Sequence, residues 1–573
     1  MDKNFVFERN LLALSARDPG LCSRLSGAET TLGRYRFLEA RTGETVPALV
    51  DGAGTAHPLH SLMDPRKEAA RLMEASLEGA GAGYLVLLGL GGGFLARAAL
   101  EGPGVSPLGV ERVLVLDYDI NGTAELLASG DYIQLFKDPR FSLLIDPSHE
   151  ALERHILESY LPVLHGGIRV IPLRARTEYG REQFAAAGES LRRAIDQVSG
   201  DYSVQAFFGR RWFANIIRNL PQAEARDSPL PPVREAVICA AGPSLEEQLP
   251  EIASRCAPAG GASGGAYLVA TDTALPCLLG RGIVPNAVVS IDCQHISYQH
   301  FMEGLPAETV LFLDLASPPL LASLSSRPRF FAGGHPLARY LSRYWRPFPE
   351  IDTSGANVTY AALSLAEYLG ARRIRLYGAD FSYPLGKTYA RGTYIYPYFD
   401  ARQHRLAPLE TQASGLLYRS ASLLKLPGKR GWYYETPVLR GYRRGIEART
   451  AAMEASVSAA PGGGAPINLP PGKAAGDIFG TARPGARPLR LFTAGAARGS
   501  AGDFLQDYRR DVAALPLPEQ SLTDYLAGLG DRERLILTSL LPGAAHFKRR
   551  YGKLAGRELL EAARKAALAE LDA

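Results

Sequence analysis

Five short segments of this 573-residue chain place Ser, Thr, Asp or Gly at or just beyond strand-like stretches. The first is Ala241-Gly242-Pro243-Ser244-Leu245, between the apolar run AVICA and the helix-like EEQLPEIA. Gly242 permits a tight strand-to-helix turn, and Pro243 has the fixed φ of a first helical position. Ser244 then offers a hydroxyl beside free N–H groups, so the turn can cradle an anion or nucleotide phosphate without a lysine. Its bland alternative is a plain helix start. Thr271-Asp272-Thr273 follows YLVA, Asp292 follows AVVSI, and Ser354-Gly355 precedes TYAALSLAEYLGA. Gly378-Ala379-Asp380 follows RIRLY and leads into a tyrosine-rich loop containing Tyr383 and Tyr389. Singly, each acid reads as a cap or turn residue. In open α/β sheets, however, ligands bind at the carboxyl ends of strands, so five such ends on one edge predict a nucleotide crevice.

A second glycine turn, Gly89-Leu90-Gly91-Gly92-Gly93, follows YLVLL, and the next strand, RVLVLD, brings Asp117 and Asp119. Those acids could accept ribose hydroxyl bonds in a methyl-donor or dinucleotide site. Any strand–helix turn also favours glycine, and a degenerate domain kept for architecture or acceptor docking is the preferred reading.

These motifs need a sheet to hold them. The chain reads as α/β, with two tandem Rossmann-like α/β domains, a small β-rich N-terminal cap and a helical C-terminal region. The expected boundaries are a cap over 1–75 and a first α/β domain with following helices over 76–230. A nucleotide-sugar domain follows over 231–460, then a linker and helical region over 461–573. Strands are expected at AVICAA, AYLVAT, AVVSID, TVLFLD and RIRLYGAD, with a flexible insertion between 257 and 265 and a Gly/Ala/Pro-rich linker from 461.

Composition limits the function classes. A net charge of +5 with a pI near 8.8 suits an anionic ligand and does not require nucleic acid, whose binding normally needs a dense Lys/Arg patch. The apolar stretch over 84–100 is broken by four glycines and Arg97, so it is not read as a membrane span. Cys22, Cys239, Cys256, Cys277 and Cys293 form no CxxC pair and read as reduced core thiols. The N-terminus has no sustained apolar core of a signal peptide, and a cytoplasmic location is expected.

AGPSL, ATDTALPCLLGRGIVPNAVVSID and SGANVTYAALSLAEYLGARRIRLYGADFSY are similar in order and spacing to the central domain of motility-associated factor (Maf) proteins, a family of flagellin glycosyltransferases. That domain in turn resembles bacterial sialyltransferases that use a CMP-sugar donor. The resemblance covers about 235–396. It implies transfer of a nonulosonic (sialic or pseudaminic-type) sugar from a CMP donor to Ser or Thr of flagellin, supporting motility, with no required cofactor and Mg²⁺ optional. It also implies that Gly242, Pro243, Ser244, Thr271, Asp272, Thr273, Asp292, Ser354, Gly355, Asp380 and Tyr383 bind the donor nucleotide. Asp380 would anchor the loop, and Tyr383 or Tyr389 would stabilise the leaving group. Asp272 stands where the sialyltransferases carry Asn, and no histidine falls at their general-base position. His404 is the nearest downstream candidate for that base and His335 another. The implied partners are a flagellin acceptor and a nucleotide sugar, with neither nucleic acid nor membrane.

Two alternatives stay open. An archaeal 6-hydroxymethylpterin diphosphokinase family shares the GPSL-type domain, and there Asp272, Asp292 and Asp380 would hold Mg²⁺ and ATP. The other is a non-catalytic flagellar assembly factor with a vestigial pocket.

Overall fold

Apolar runs that alternate with amphipathic stretches build two parallel sheets, one in each of two units. The computed structural model describes residues 3–78, 82–101, 109–225, 230, 232–256, 265–471, 495–519, 521–552 and 554–573. The insertion expected at 257–265 lies outside these except for its last residue, as does the linker beyond 471 up to 494. One unit comprises Met1–Gly209 and Ala514–Ala566, the other Arg210–Ala513 and Ala567–Ala573.

The first unit opens on helices, Lys3–Ser15 and Pro19–Ser26, where the sequence pattern suggests short strands. Asp18 accepts the Leu21 N–H at 2.8 Å and Pro19 takes the first helical position, a start signal that outweighs the short apolar spacing. The β-rich part begins later, as the antiparallel trio β1 (Tyr35–Glu39), β2 (Thr45–Val50) and β3 (Ala56–Pro58). Helix Pro65–Leu77, capped by Asp64, leads into the α/β alternation. Its strands are β4 (Ala82–Leu88), β5 (Arg112–Asp117), β6 (Phe141–Ile145) and β7 (Gly167–Pro172), parallel in the order β6-β5-β4-β7. Every residue of β4 is buried, as expected of a central parallel strand covered on both faces. The helical stretch expected after this domain is a single 43-residue helix, Arg181–Ala223.

The second unit contains β8 (Glu235–Cys239), β9 (Tyr267–Thr271), β10 (Ala287–Ser290), β11 (Val310–Asp314), β12 (Arg329–Phe331) and β13 (Arg373–Tyr377). They are followed by β14 (Tyr383–Pro384), β15 (Leu424–Gly428), β16 (Gly431–Glu435) and β17 (Ser456–Ala459). Seven of them form one all-parallel sheet, in the order β12-β11-β10-β9-β8-β13-β17. The chain walks outward from β8 to β12, then returns to the other side of β8 with β13. Helix Val358–Tyr368 packs against β8, β9 and β10, burying residues 359–366. Two strands escape the sequence pattern: β12 has three residues, and β17 alternates serine with small apolar residues. β14, β16 and β15 form a small antiparallel sheet inserted between β13 and β17.

The C-terminal region is helical, with helices Ala501–Ala514, Leu522–Gly528, Asp531–Tyr551 and Gly556–Leu571. The five cysteines are free thiols. Among the described residues no helix is long and apolar enough to cross a membrane.

Candidate functional site

The strand order of the seven-stranded sheet reverses between β8 and β13, and such a switch opens a crevice at the carboxyl edge. Both strands end here in residues that hold each other. The Gly242 N–H donates to the Gly378 carbonyl at 2.8 Å, and the Ser244 N–H donates to Asp380 Oδ2 at 2.9 Å. A Cβ on Gly242 would land against Asp380 Oδ2 and the Gly378 carbonyl, so the close approach admits only glycine. Gly378 has φ +62° and lies against the Ala240 carbonyl, which makes it equally obligatory. Gln248 completes the clasp by accepting the Gly378 N–H at 2.8 Å and donating to the Pro461 carbonyl at 3.0 Å.

A pocket of about 180 Å³ opens beside this clasp. Its wall is Ala240, Ala241 and Gly242 from the end of β8, and Thr271 and Thr273 from the end of β9. Asn357, Val358 and Thr359 supply the start of helix Val358–Tyr368, and residues 378–383 supply the end of β13 and its loop. Thr388, Tyr389, Leu439 and Tyr442 close it. Asn357 Oδ1 accepts the Tyr360 N–H at 2.9 Å and so caps the helix whose first turn faces the pocket. Phe381 sits at φ +43°, a left-handed conformation unusual for a bulky residue, within the loop that turns over the pocket.

The lining holds hydroxyls and backbone but no lysine, arginine or histidine among the described residues. Burial pushes the Tyr389 phenol well above its ordinary range, with Tyr394, Tyr383 and Asp272 adding to the rise. Tyr383 is raised as well, chiefly by burial. Burial also raises the Asp380 carboxyl, against the pull of the Ser244 N–H.

The sequence-derived candidates divide into three groups. Gly242, Thr271, Thr273, Asp380, Tyr383 and Tyr389 come together around the pocket. Pro243, Ser244 and Asp272 lie just behind it. Ser244 is buried under the turn at 461–465, where a Cβ on Gly462 would lie 2.8 Å from Asp380 Oδ1 and 3.3 Å from Ser244 Oγ. Ala465 donates its N–H to Ser382 Oγ at 2.8 Å, so residues 461–465, expected to be linker, are a strap across the back of the site. Asp272 is fully buried; Oδ2 accepts from Ser290 Oγ at 2.7 Å, and Oδ1 accepts from the Thr273 N–H and hydroxyl.

The third group stands apart. Ser354 is exposed, with its N–H on Asp352 Oδ1 at 2.9 Å, and Gly355 packs against the Tyr360 ring. Neither lines the pocket; the residues that do are Asn357 to Thr359, two to five positions on. His404 is exposed on a surface turn and accepts the Leu406 N–H with Nδ1, away from the pocket lining. His335 lies beyond the end of a different strand, 3.6 Å from Asp314 and with its ring tilted against that of Trp212 at 4.3 Å. Asp292 accepts the Gln294 N–H, and burial raises its carboxyl, with Asp272 adding to the rise. The sequence reading passed over His300, which is buried, meets the Tyr394 ring at 4.4 Å and has no hydrogen-bond partner for Nδ1 among the described residues. Nothing in its local sequence distinguishes it; only the fold brings it to the tyrosine cluster.

The glycine turn of the first unit is filled by the protein itself. A Cβ on Gly91 would lie 2.6 Å from His60 Nε2 and from Leu173, and one on Gly89 would lie 2.8 Å from Arg176. His60 Nε2 accepts the Gly92 N–H at 3.1 Å, where a bound phosphate would otherwise receive it. Asp117, the candidate ribose acid, is buried, accepts the Leu90 N–H and pairs with Arg176 at 2.6 Å. Asp119 caps the next helix through the Gly122 N–H.

A family model described as 6-hydroxymethylpterin diphosphokinase MptE-like matches residues 211–386. An uncharacterized protein of Treponema pallidum (strain Nichols) is 35% identical over 155 residues, which are 26% of this chain and 55% of that protein. A second uncharacterized protein of the same organism is 30% identical over 172 residues, covering 29% of this chain and 78% of its own length. The chain belongs to one family with that second treponemal protein. Across nearly its whole length it also has the fold of a solved Maf glycosyltransferase from Magnetospirillum magneticum AMB-1. The two superpose with a TM-score of 0.57 over 99% of this chain and 90% of the other, at 14% identity. Both likenesses expected from the central motifs, to Maf and to the diphosphokinase-like domain, are therefore found. The match to the diphosphokinase-like family ends at Gly386, just past Tyr383 and short of Tyr389.

Proposed function

We propose that this protein is a cytoplasmic glycosyltransferase that moves a nonulosonic sugar from a CMP-activated donor to a Ser or Thr hydroxyl of flagellin. The observation that carries this reading is the pocket at the β8–β13 reversal, walled by hydroxyls and by the capped start of a helix. As the sugar–phosphate bond breaks, its electron pair leaves with the anionic nucleotide, and the site must stabilise that charge. The N–H groups of the first helical turn and the Thr359 and Tyr389 hydroxyls are the donors for this. With its titration raised by burial, Tyr389 stays a neutral phenol and so a hydrogen-bond donor. The acceptor hydroxyl adds to the sugar carbon and its proton passes to a departing phosphate oxygen or to water. In this reading neither His404 nor Ser354 touches the donor, and no metal is required, although Mg²⁺ beside the phosphate is compatible with it.

A thermal-shift series with CMP, CDP, UDP, ATP and S-adenosylmethionine, each with and without Mg²⁺, tests the reading. CMP without metal is expected to stabilise the fold by roughly 2.7 kcal/mol at a hundredfold excess over its Kd. The match over 211–386 favours a second reading, an ATP-dependent pterin-type diphosphokinase. Stabilisation by ATP only with Mg²⁺ would replace the first reading with it. Against it, Asp272 already has both carboxylate oxygens engaged, by Thr273 and by Ser290. A folded protein that responds to no nucleotide would favour a non-catalytic assembly factor.

A further inference from the structure

Between β13 and β17 the chain carries an insertion whose charge is unlike the rest of the molecule. Residues 381–445 hold eleven Lys and Arg against three Asp and Glu, an excess of +8 where the whole chain has only +5. Without this segment the protein is slightly acidic. Of the three acids, Glu435 is buried and neutralised by Arg440 and Arg443, at 2.6 and 2.8 Å. Lys387, Arg405, Arg419, Lys429 and Arg444 are exposed, with no ion pair among the described residues.

The insertion's small sheet gives this charge a direction. Tyr383 on β14, Tyr434 on β16 and Lys425 on β15 are cross-strand neighbours in register, so they share one face. Trp432, two residues before Tyr434, shares it too; its ring lies 5.1 Å from that of Tyr434, with the Lys425 ammonium 4.4 Å above it. Tyr418, 59% exposed, adds its ring and bonds its hydroxyl to that of Tyr434. Lys429 stands at the hairpin tip and Arg419 next to Tyr418, close enough to act on Tyr383. The row therefore begins at Tyr383 in the pocket wall and runs outward through aromatic rings and cations to the edge strand β15.

We propose that this face docks an acidic stretch of polypeptide, the segment that presents the acceptor hydroxyl to the pocket. Cations without partners fit acidic side chains, and rigid tyrosine and tryptophan rings suit a peptide lying across them. An open edge strand offers main-chain bonds to an extended chain, which favours polypeptide over nucleic acid or an anionic bilayer. The proposal rests on the glycosyltransferase reading for what the docked segment is for, but the surface itself can be tested apart from it.

The probe is a fluorescent twenty-residue peptide of alternating Glu and Ser, titrated by anisotropy into the full chain. A Lys/Ser peptide, a thymidine oligonucleotide and phosphatidylserine vesicles serve as comparisons. Lys425→Glu combined with Arg419→Glu and Lys429→Glu is expected to weaken the Glu/Ser peptide by about tenfold or more. Trp432→Ala is expected to weaken it at unchanged charge, which a purely ionic attraction would not show. The melting shift given by CMP is expected to be the same in these variants as in the wild type. The proposal falls if the triple variant binds the acidic peptide like the wild type, or if oligonucleotide or vesicles bind more tightly than the peptide through the same residues. A peptide response without any nucleotide response would leave the docking face standing and remove the glycosyltransferase reading instead. Trp432→Tyr should recover binding if ring stacking is what matters, and its melting curve shows whether loss in Trp432→Ala comes from unfolding.

Discussion

Asp380 Oδ2 accepts the Ser244 backbone N–H at 2.9 Å, joining the end of β13 to the helix start that follows β8, 136 residues earlier. Both residues are buried, so the bond has no water to replace it. Asp380→Ala leaves the Ser244 N–H without a partner and should cost about 1.5–3 kcal/mol. Asp380→Asn keeps an oxygen acceptor in place and should cost clearly less. Urea denaturation of both variants checks this; equal losses would mean that the tie is not what the carboxylate contributes.

The same carboxyl predicts a pH dependence. Burial raises its titration in the folded protein above the ordinary value of 3.8. Between that value and the raised one, the native state holds a proton that the unfolded chain has released, so native stability falls as pH rises through the window. Asp380→Asn does not titrate. Its stability relative to the wild type should therefore improve from pH 4 toward neutral, measured by denaturation at a series of pH values. A difference that stays flat, or that moves the other way, contradicts the assignment.

Much of this was legible because parallel strands write themselves as unbroken apolar runs. β8, β9, β10 and β11 are close to such runs, β13 interleaves Arg373 and Arg375 with Ile374 and Leu376, and the residues after all five mark the carboxyl edge. What the pattern hides is long-range. Gly462 and Gly464 look like linker, yet a Cβ on Gly462 would crowd Asp380, and one on Gly464 would lie 2.9 Å from the Asp380 Cβ. Likewise Gly89 to Gly93 read as a nucleotide turn, because the side chains that fill it, His60, Leu173 and Arg176, come from distant segments. At the helical N-terminus the start signal Asp18-Pro19 belongs only to the second helix, and nothing comparable announces the first, Lys3–Ser15.

That filled turn gives a prediction of its own. Gly91 has φ +50°, and an added Cβ would lie 2.6 Å from His60 and Leu173. Gly91→Ala should cost more than the ~1 kcal/mol of an unfavourable backbone alone. It should leave nucleotide affinity in the folded fraction unchanged. Calorimetric titration of the variant decides the matter, since lost affinity would move the ligand to the first unit.

Tyr389 offers a cleaner separation of stability from binding. Tyr389→Phe keeps the ring and removes only the phenol. If that hydroxyl donates to a charged phosphate, its loss should weaken CMP by roughly tenfold. The melting temperature should shift little, because the ring still fills its place beside Tyr394. Wild-type CMP affinity in a folded Tyr389→Phe protein would exclude the phenol from the donor site.

The last test sets the motif against the geometry at three hydroxyl or amide side chains. The likeness to sialyltransferases would place Ser244 and Ser354 on the donor. In the structure Ser244 Oγ lies under Gly462 and Ser354 is exposed, whereas Asn357 caps the helix whose first residues line the pocket. Asn357→Ala should cost about 1 kcal/mol as a lost cap, and fraying of that first turn should weaken nucleotide binding as well. Ser244→Ala and Ser354→Ala should fold and bind CMP close to the wild type, because neither hydroxyl reaches the lining. Isothermal titration of the three variants ranks them. A roughly tenfold loss in either serine variant, the size expected for a hydroxyl on a charged phosphate, would mean that the loop or strap rearranges to put that hydroxyl on the donor.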